Sequence, residues 1–233
     1  KQKGMLGLHA GSKILKAKGS DGRIRKYGML IFGMSGTGKT THTCHTHGLN
    51  EQEEGIEILQ DDVVFLRKDG SAYGSERGFY LKTEGLDQVT QPIIYKAAIS
   101  RDAIFENVMI DYEGNLYFED DTLTSNGRGI MMREDLSPYI SNSINLPSID
   151  NMDGMIVAFI TRRHTVVPLA AKLTPEQAAA VFMIGESIET SAGDPKRAGE
   201  SIREVGTNPF IIGDKSYEGN WFYDFVKRHE GKV

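Results

Sequence analysis

The sequence predicts a mixed α/β fold built on a twisted sheet, in a single domain that spans residues 1–233. Short apolar runs such as Met29–Phe32 and Met155–Ile160 are typical of buried strands. Other segments have the periodicity of amphipathic helices, and turn sequences at residues 67–70 and 111–114 indicate two hairpins. Strands and helices that alternate in this way favour the α/β class, and neither a repeat nor a linker divides the sequence.

Composition and charge exclude several classes of protein. A chain of 233 residues with 39% hydrophobic residues is long enough to bury a sizeable core. The net charge of −5 argues against a nucleic-acid partner, which needs clustered basic residues. No apolar run reaches the ~20 residues of a membrane span and no signal peptide is visible, so we expect no membrane partner. The single cysteine, Cys44, favours a reducing, cytoplasmic compartment. The sequence leaves the oligomeric state open.

The first half of the chain is organised around a glycine-rich segment. A turn at residues 19–22 predicts a hairpin that leads into Met29–Phe32, and Gly33–Thr40 then match G-x-x-x-x-G-K-[ST], the phosphate-loop pattern. The glycines let backbone N–H groups turn inward around phosphate oxygens, and the N-terminus of a following helix favours the same anion. Lys39 can then reach the outer phosphates, and the Thr40 hydroxyl can bind a divalent cation. The predicted nucleotide-binding residues of this loop are Gly33, Ser35, Gly36, Thr37, Gly38, Lys39, Thr40 and Thr41.

Two adjacent carboxylates follow the next predicted strand, residues 55–60. Folds with a phosphate loop hold the cation where a strand ends in acidic residues, so Asp61 and Asp62 are predicted metal ligands. Neighbouring strand residues point to opposite faces, so we expect only one of the two to contact the metal directly. The alternative, two solvated turn aspartates, fits the preceding loop less well.

Histidines cluster in the helix predicted after the loop, over residues 40–47 with Gly48 at its C-terminal cap. His42 and His45 are spaced i, i+3, so one helix face could bind a soft metal. The favoured alternative is a weak helix with partly solvated imidazoles, and the role of His47 is equally open. Spacing alone indicates that His9 is an ordinary core or edge histidine.

Periodicity, turns and caps predict the remaining elements. Strand pairs are expected at residues 63–66 with 72–73 and at 108–110 with 116–118. Helices are expected over residues 92–104, 174–189 and 216–228, the second with a capping box formed by Thr174 and Gln177. Residues 126–129 form a loop that presents Arg128 between glycines, and the charged segment 194–205 is expected to be loosely ordered.

Several further short motifs follow the phosphate loop in a fixed order. They are Asp61-Asp62, Gly78-x-Tyr80-x-Lys82, Ile94-Tyr95, Arg101-Asp102-Ala103, Glu106-Asn107-Val108, Asn126-x-Arg128, Phe159-x-Thr161 and Leu173-Thr174-x-x-Gln177. The whole series, over about residues 4–228, resembles the ATP-dependent phosphoenolpyruvate carboxykinases. The phosphate loop alone is not diagnostic, whereas the ordered series is far more specific.

The resemblance implies a carboxykinase-like nucleotide-binding domain and a reaction. In the family, oxaloacetate and ATP become phosphoenolpyruvate, CO2 and ADP, with Mg²⁺ and Mn²⁺ as cofactors. Lys39 would contact the β- and γ-phosphates, and Thr40 the nucleotide-bound magnesium. His9 and Asp62 match the positions that hold a second cation, usually manganese, which reverses the interpretation of His9 from spacing.

The resemblance also assigns two cationic residues that pattern alone does not. Lys82 matches a lysine on the transferred phosphate, and Arg128 matches an arginine at the phosphoryl and substrate oxygens. Both are therefore predicted nucleotide-binding residues as well. The predicted catalytic residues are Lys39, Asp62, Lys82 and Arg128.

The sequence departs from the family pattern at three places. The family's Glu-Gly-Gly-Cys-Tyr-Ala-Lys is altered at residues 76–82, and its Thr-Ala-Asp-Ala-Phe-Gly has become residues 161–166, where Arg162 and Arg163 add positive charge. Gln91 replaces an acidic residue. The match covers about the middle half of a family member, without the residues that hold oxaloacetate and adenine. We therefore expect a fragment or a shortened, divergent relative.

Three classes of function stay open at this point. The first is the nucleotide-binding part of a carboxykinase that acts on small-molecule substrates. The second is a kinase of the HPr kinase type with another acceptor, and the third is a nucleotide-binding module without chemistry. The ordered motifs favour the first class, whereas Arg162, Arg163 and the divergence near Lys82 favour the other two.

Overall fold

The computed structural model describes residues 3–122, 124–162, 168–189, 194, 196–205 and 214–233, which form the mixed α/β arrangement predicted from the sequence. The strands among them are β1 (Leu6–Lys18), β2 (Ile24–Phe32), β3 (Gly55–Gln60), β4 (Val63–Leu66), β5 (Ala72–Gly74), β6 (Gly78–Lys82), β7 (Ile104–Glu106), β8 (Met109–Ile110), β9 (Leu116–Tyr117), β10 (Arg128–Met132), β11 (Gly154–Phe159), β12 (Ile184–Ile188) and β13 (Ser201–Val205). The α-helices are α1 (Lys39–Cys44), α2 (Pro92–Ala98), α3 (Pro175–Met183) and α4 (Lys215–Arg228). Along this described part of the chain, no helix is both long and apolar enough to cross a membrane.

The main sheet is assembled around β1. This strand forms the predicted antiparallel hairpin with β2, and the sheet runs in the order β11-β2-β1-β4-β5, with β3 also paired to β1. The first residues of β1 pair with β4 and its later residues pair with β3. The two residues between β3 and β4, Asp61 and Asp62, consequently lie beside β1, where the N–H of Ala10 donates to the carbonyl of Asp62 at 2.8 Å.

β11 lies parallel to β2 at the edge of this sheet. Gly154 stands opposite Tyr27, and Phe159 stands opposite Phe32. The pairing continues past β11, because the N–H of Ile160 donates to the carbonyl of Phe32 at 2.8 Å. The two strands end at the same edge, so the segment that follows β11 runs beside the glycine-rich segment that follows β2.

Two hydrophobic cores lie on opposite faces of the main sheet, as the alternation of β3 shows. Leu59 belongs to one core, and its neighbour Ile58 belongs to the other. The first core holds α3 and α4 against the sheet, with Phe182 and Phe222 buried in it. The second core holds α2 and the three-stranded sheet β6-β10-β7. The two cores share one sheet, which therefore connects the packing on its two sides.

Local turn and cap signals give the right positions for several elements. The hairpins β4–β5 and β8–β9 and the helix α4 lie where they were predicted. The helix predicted over residues 92–104 is wrong at its C-terminal end, because it stops at Ala98 and Ile104 begins β7. Ile104 continues the helical spacing, but its pairing with Ile130 of β10 decides its conformation.

The helix predicted over residues 174–189 is correct at its start and wrong at its end. The capping box is present, since Gln177 N donates to the Thr174 hydroxyl while the Gln177 side chain accepts from Thr174 N. The helix stops at Met183, and the following β12 pairs with β13. Residues 201–205 are thus a strand and not a loosely ordered segment. Isoleucines at both ends of β12, Ile184 and Ile188, suit this strand pairing better than a helix.

The helix after the glycine-rich segment is also shorter than predicted, because it ends at Cys44 and His45 is already extended. Its C-terminal end is held by Lys13, which is fully buried. The Lys13 ammonium donates to the carbonyls of His42 and, at 2.8 Å, of His45. A short helix leaves its last carbonyls without partners, and a basic side chain at that end supplies them.

Burial of Lys13 predicts a specific dependence of stability on pH. Burial lowers the pKa of Lys13 from 10.5 to about 8, so between these values the unfolded state binds more protons than the folded state. Lys13 should therefore make the free energy of unfolding rise with pH in this window, by at most ~3 kcal/mol. The buried Cys44 thiol, whose pKa is raised by burial, acts in the opposite direction near and above pH 9, so the contribution of Lys13 is read from its variant. Urea unfolding at pH 7.5 and pH 9.5 measures this. Lys13→Met should remove the rise, and the exposed Lys96→Met should keep it; equal slopes in all three proteins would contradict the prediction.

Candidate functional site

The glycine-rich segment, residues 33–38, connects the end of β2 directly to α1. Gly36 and Gly38 have positive φ angles of 78° and 101°, which favour glycine. A β-carbon at Gly33 would lie 2.9 Å from the carbonyl oxygen of Ile160, so the segment after β11 leaves no room for a side chain there. Thr37 closes the loop internally, with its hydroxyl donating to the carbonyl of Met34 at 2.8 Å.

Lys39, the first residue of α1, turns back over this loop. Its side chain is 8% exposed, and its Nζ lies 3.1 Å from the carbonyl oxygen of Gly33 and 3.5 Å from that of Met34. Burial lowers the pKa of Lys39, and the nearby carboxyl groups of Asp62 and Asp61 act in the opposite direction. Its partners are neutral carbonyls, which an anion in the loop would outcompete as acceptors of a charged donor.

Thr40 joins the loop to the first carboxylate of the acidic pair. Its hydroxyl lies 2.6 Å from Asp61 Oδ2 and 3.1 Å from the carbonyl oxygen of Tyr80. Asp61 is 2% exposed, and burial raises its pKa to about 7. Its second oxygen, Oδ1, is buried with no hydrogen-bond partner among the described residues. An unpaired buried acceptor of this kind is costly unless a donor or a cation reaches it.

Asp62 faces a different partner. The imidazole Nε2 of His9 lies 2.7 Å from Asp62 Oδ1, and the hydrogen bond from His9 is the main cause that lowers the pKa of Asp62. Asp62 has a φ of 71°, a conformation that is uncommon for a residue with a side chain. The adjacent carboxylates therefore differ: Asp61 is buried and inclined to bind a proton, whereas Asp62 stays charged beside a histidine.

The second sheet supplies two cations from neighbouring strands. Arg128 of β10 stands opposite Lys82 of β6 on one side and Glu106 of β7 on the other. The ammonium of Lys82 reaches across to the loop, where it donates to the Ser35 hydroxyl at 3.1 Å. Arg128 Nε donates to Asn126 Oδ1 at 3.1 Å, which holds its guanidinium near the end of its strand.

These groups meet in one cleft with a volume of about 830 Å³, within the usual range for small-molecule sites. The predicted site residues that line it are His9, Ser35, Gly36, Gly38, Lys39, Thr40, Thr41, Asp61, Asp62, Lys82 and Arg128. Gly33 and Thr37 do not line the cleft, and their contacts shape the loop from behind. The structure thus brings together most of the predicted set, while the roles of its members stay predictions.

The cleft also contains residues that sequence reasoning did not assign to a site, among them Tyr80, Glu84, Gln91, Glu106 and Arg162. Glu106 was not assigned to the site because a helix was predicted up to residue 104, so the strand β7 was not predicted. The added charge of Arg162 was a usable signal, since it was one of the departures noted in the sequence. Arg163 and the rest of that segment up to residue 166 lie outside the described residues.

The histidines after the loop form a separate group. The His42 and His47 rings stack with centroids 5.4 Å apart, and His47 Nε2 lies 3.2 Å from the carbonyl oxygen of His42. Burial lowers the pKa of His47 to about 4, and burial also lowers the pKa of His42. Among the described residues, no three His, Cys, Asp or Glu side chains are grouped to hold a metal. His42 and His47 are exposed and His45 is half-buried, as in the interpretation with partly solvated imidazoles.

A comparison of the chain with models of protein families agrees with the order of the motifs and their convergence on one cleft. A family model described as phosphoenolpyruvate carboxykinase, in its ATP form, matches residues 1–233. The chain belongs to the ATP-dependent phosphoenolpyruvate carboxykinase family. Membership in this family accounts for the order in which the motifs occur.

Named relatives in this carboxykinase family are similar along most of the chain. A phosphoenolpyruvate carboxykinase (ATP) of Aeropyrum pernix is 38% identical over 222 residues, which cover 95% of this chain and 43% of the relative. One of Christiangramia forsetii is 35% identical over 67% of the chain and 27% of its own length. One of Rhodopseudomonas palustris is 29% identical over 98% of the chain and 39% of its own length. The chain thus spans less than half the length of these relatives.

Proposed function

We propose that this chain binds ATP with magnesium and that it carries the phosphoryl-transfer part of an ATP-dependent phosphoenolpyruvate carboxykinase. The supporting observation is the convergence of the glycine-rich loop, an acidic pair and two lysines on one cleft. Two relatives that are 38% and 35% identical to this chain are named phosphoenolpyruvate carboxykinase (ATP). The proposed reaction converts oxaloacetate and ATP into phosphoenolpyruvate, CO2 and ADP, and the proposed partners are these small molecules.

The loop would hold the phosphates of the nucleotide. Backbone N–H groups around Gly36 and Gly38, where positive φ angles let the chain turn, supply donors without charge. Lys39 lies close enough to exchange the carbonyls of Gly33 and Met34 for phosphate oxygens. Lys82 closes the opposite side of the loop, as its contact with Ser35 indicates. Thr41, the next residue of α1, also lines this part of the cleft.

The donor groups present fit two cations of different character. Thr40 and Asp61 offer hard oxygen ligands close together, and the unpaired buried Oδ1 of Asp61 would gain a partner, which suits Mg²⁺. His9 and Asp62 offer one nitrogen and one oxygen, which suits Mn²⁺. When bound, such cations polarise phosphoryl and carbonyl oxygens and neutralise charge that develops during transfer.

The side chains of the second sheet would act on the reacting groups. Loss of CO2 from oxaloacetate leaves an enolate, whose oxygen then attacks the terminal phosphorus of ATP while the bond to ADP breaks. Lys82 and Arg128 lie side by side in the cleft, so their charges can stabilise both the enolate and the transferred phosphoryl group. Lys39 would stabilise the departing diphosphate from the loop side.

We further propose that residues 1–233 fold as one domain, because both hydrophobic cores are built on the two faces of one sheet. The cytoplasmic location stays a prediction from the single cysteine.

Two measurements test the function. Calorimetric titration with ATP, with and without Mg²⁺, tests the nucleotide site. A coupled assay with oxaloacetate and ATP tests the reaction, and it is made on this chain together with the regions that hold oxaloacetate in the family, which the match does not cover. Phosphoryl transfer from ATP that never requires oxaloacetate would favour a kinase with another acceptor.

The proposed site for a second cation at His9 leads to a separate prediction. Replacing His9 with asparagine should weaken Mn²⁺ binding by roughly tenfold or more, because it removes the only nitrogen ligand proposed there. Titration followed by the electron paramagnetic resonance signal of free Mn²⁺ measures this. The control is His229→Asn, which changes the histidine directly after α4. This variant should bind Mn²⁺ with wild-type affinity. Equal Mn²⁺ affinity in all three proteins would contradict the assignment of His9.

A further inference from the structure

Arg162 is the one cation of the described cleft that neither the sequence motifs nor the resemblance assigns to a role. It lies three residues beyond the end of β11. Because β11 is parallel to β2 and Ile160 still bonds to Phe32, the chain after β11 is carried to the edge where the glycine-rich loop begins. The same pairing delivers Arg162 to the wall of the cleft.

Arg162 belongs to one electrostatic group with the cations already described. The pKa of Lys82 is lowered first by burial, then by the charges of Arg128 and Lys39, and Arg162 adds to the same effect. Lys82 therefore lies within the electrostatic field of three cations, Arg128, Lys39 and Arg162. The carboxylates of the cleft, Asp61, Asp62, Glu84 and Glu106, offset part of this charge. The four cations still provide several positive groups that a polyanion such as a nucleotide phosphate can contact.

The Arg162 guanidinium has room to take such an anion. It is exposed, and within the described part of the chain neither an ion pair nor a hydrogen bond occupies it. By contrast, Lys39 and Lys82 each already contact atoms of the loop. A planar guanidinium donates two parallel hydrogen bonds to a phosphate, a geometry that an ammonium group does not offer.

We propose that Arg162 binds the terminal phosphate of the nucleoside triphosphate and thereby favours triphosphate over diphosphate in this site. The proposal rests on the function proposed above. The terminal phosphate is the part proposed because Arg162 lines the same cleft as Lys82, whose ammonium contacts Ser35 of the loop. On this proposal, a diphosphate held by the loop and Lys39 has no phosphate group left for Arg162 to bind.

The test compares two nucleotides in one set of proteins. Calorimetric titrations with MgATP and MgADP are made on the wild type, Arg162→Gln, Arg162→Lys and a control, Arg23→Gln, which changes an exposed arginine in the β1–β2 turn. We expect Arg162→Gln to weaken MgATP by roughly tenfold to a hundredfold, as for a lost charged contact, and to change MgADP by less than about twofold. Arg162→Lys should recover part of the lost affinity. Arg23→Gln should bind both nucleotides as tightly as the wild type.

The possible outcomes separate this inference from the proposed function. Equal weakening of MgATP and MgADP by Arg162→Gln would show a general effect of charge, and no weakening would show no contact; either overturns the inference while the nucleotide site stands. A wild-type chain that binds neither nucleotide overturns both. Thermal unfolding of each variant checks that the fold is retained, and exposed Arg162 has no packing role that its replacement would disturb.

Discussion

Replacing Lys39 with alanine is expected to weaken MgATP binding by roughly tenfold to a hundredfold, because a hydrogen bond from a charged donor to phosphate is lost. The side chain is buried against the loop, with its Nζ 3.1 Å from the carbonyl oxygen of Gly33. Calorimetric titration of MgATP into the wild type and the variant gives the ratio of affinities. The same titration with Lys96→Ala, an exposed lysine of α2 outside the cleft, should give the wild-type value.

Lys39→Ala also changes the contacts that hold the loop. Removing the Lys39 ammonium leaves the carbonyls of Gly33 and Met34 without this donor, so the loop itself can relax. Lys39→Met keeps most of the buried aliphatic stem and should show the same loss of affinity with a smaller change in stability. If Lys39→Ala and Lys39→Met both bind MgATP as the wild type does, the loop is not the phosphate site.

Replacing Phe222 with alanine is expected to lower the free energy of unfolding by about 3–5 kcal/mol, the usual cost of deleting a buried aromatic ring. Phe222 is fully buried in α4, and its ring stacks on Phe182 with centroids 4.5 Å apart. It also meets the edges of Phe32 and Phe159, the last residues of β2 and β11. The ring therefore supports the two strands from which the loop and Arg162 emerge.

Urea unfolding measures the effect of Phe222→Ala, with Tyr217→Ala as the control. Tyr217 lies on the same helix and is 54% exposed, so its removal should change stability by about 0.5 kcal/mol or less. The fluorescence of Trp221, the single tryptophan, and the far-ultraviolet circular dichroism should follow one transition if the chain is one domain. A drop below about 1 kcal/mol would mean that the aromatic cluster does not hold α4 to the sheet.

The sequence predicted best where the physical cause is local. The β1–β2 hairpin follows from the glycine-rich turn at residues 19–22, and the capping box follows from Thr174 and Gln177. Turn residues and caps act over a few positions, so the sequence contains their whole cause. Predictions failed at residues 99–104 and 184–189, where periodicity favoured a helix and strand pairing prevailed. Pairing depends on β10 and β13, which lie far along the chain.

By itself, the sequence determined the family, the α/β class and the residue types of the candidate site. The glycine-rich loop is a run of consecutive residues, and each further motif is a short local pattern whose order along the chain can be read directly. Only the tertiary structure decided which of those residues meet. His9 lies against Asp62 because β1 exchanges its partner from β4 to β3 at that point. Arg162 enters the cleft because β11 runs parallel to β2. Contacts between distant segments follow from sheet order and register, and the packing of the whole chain sets these.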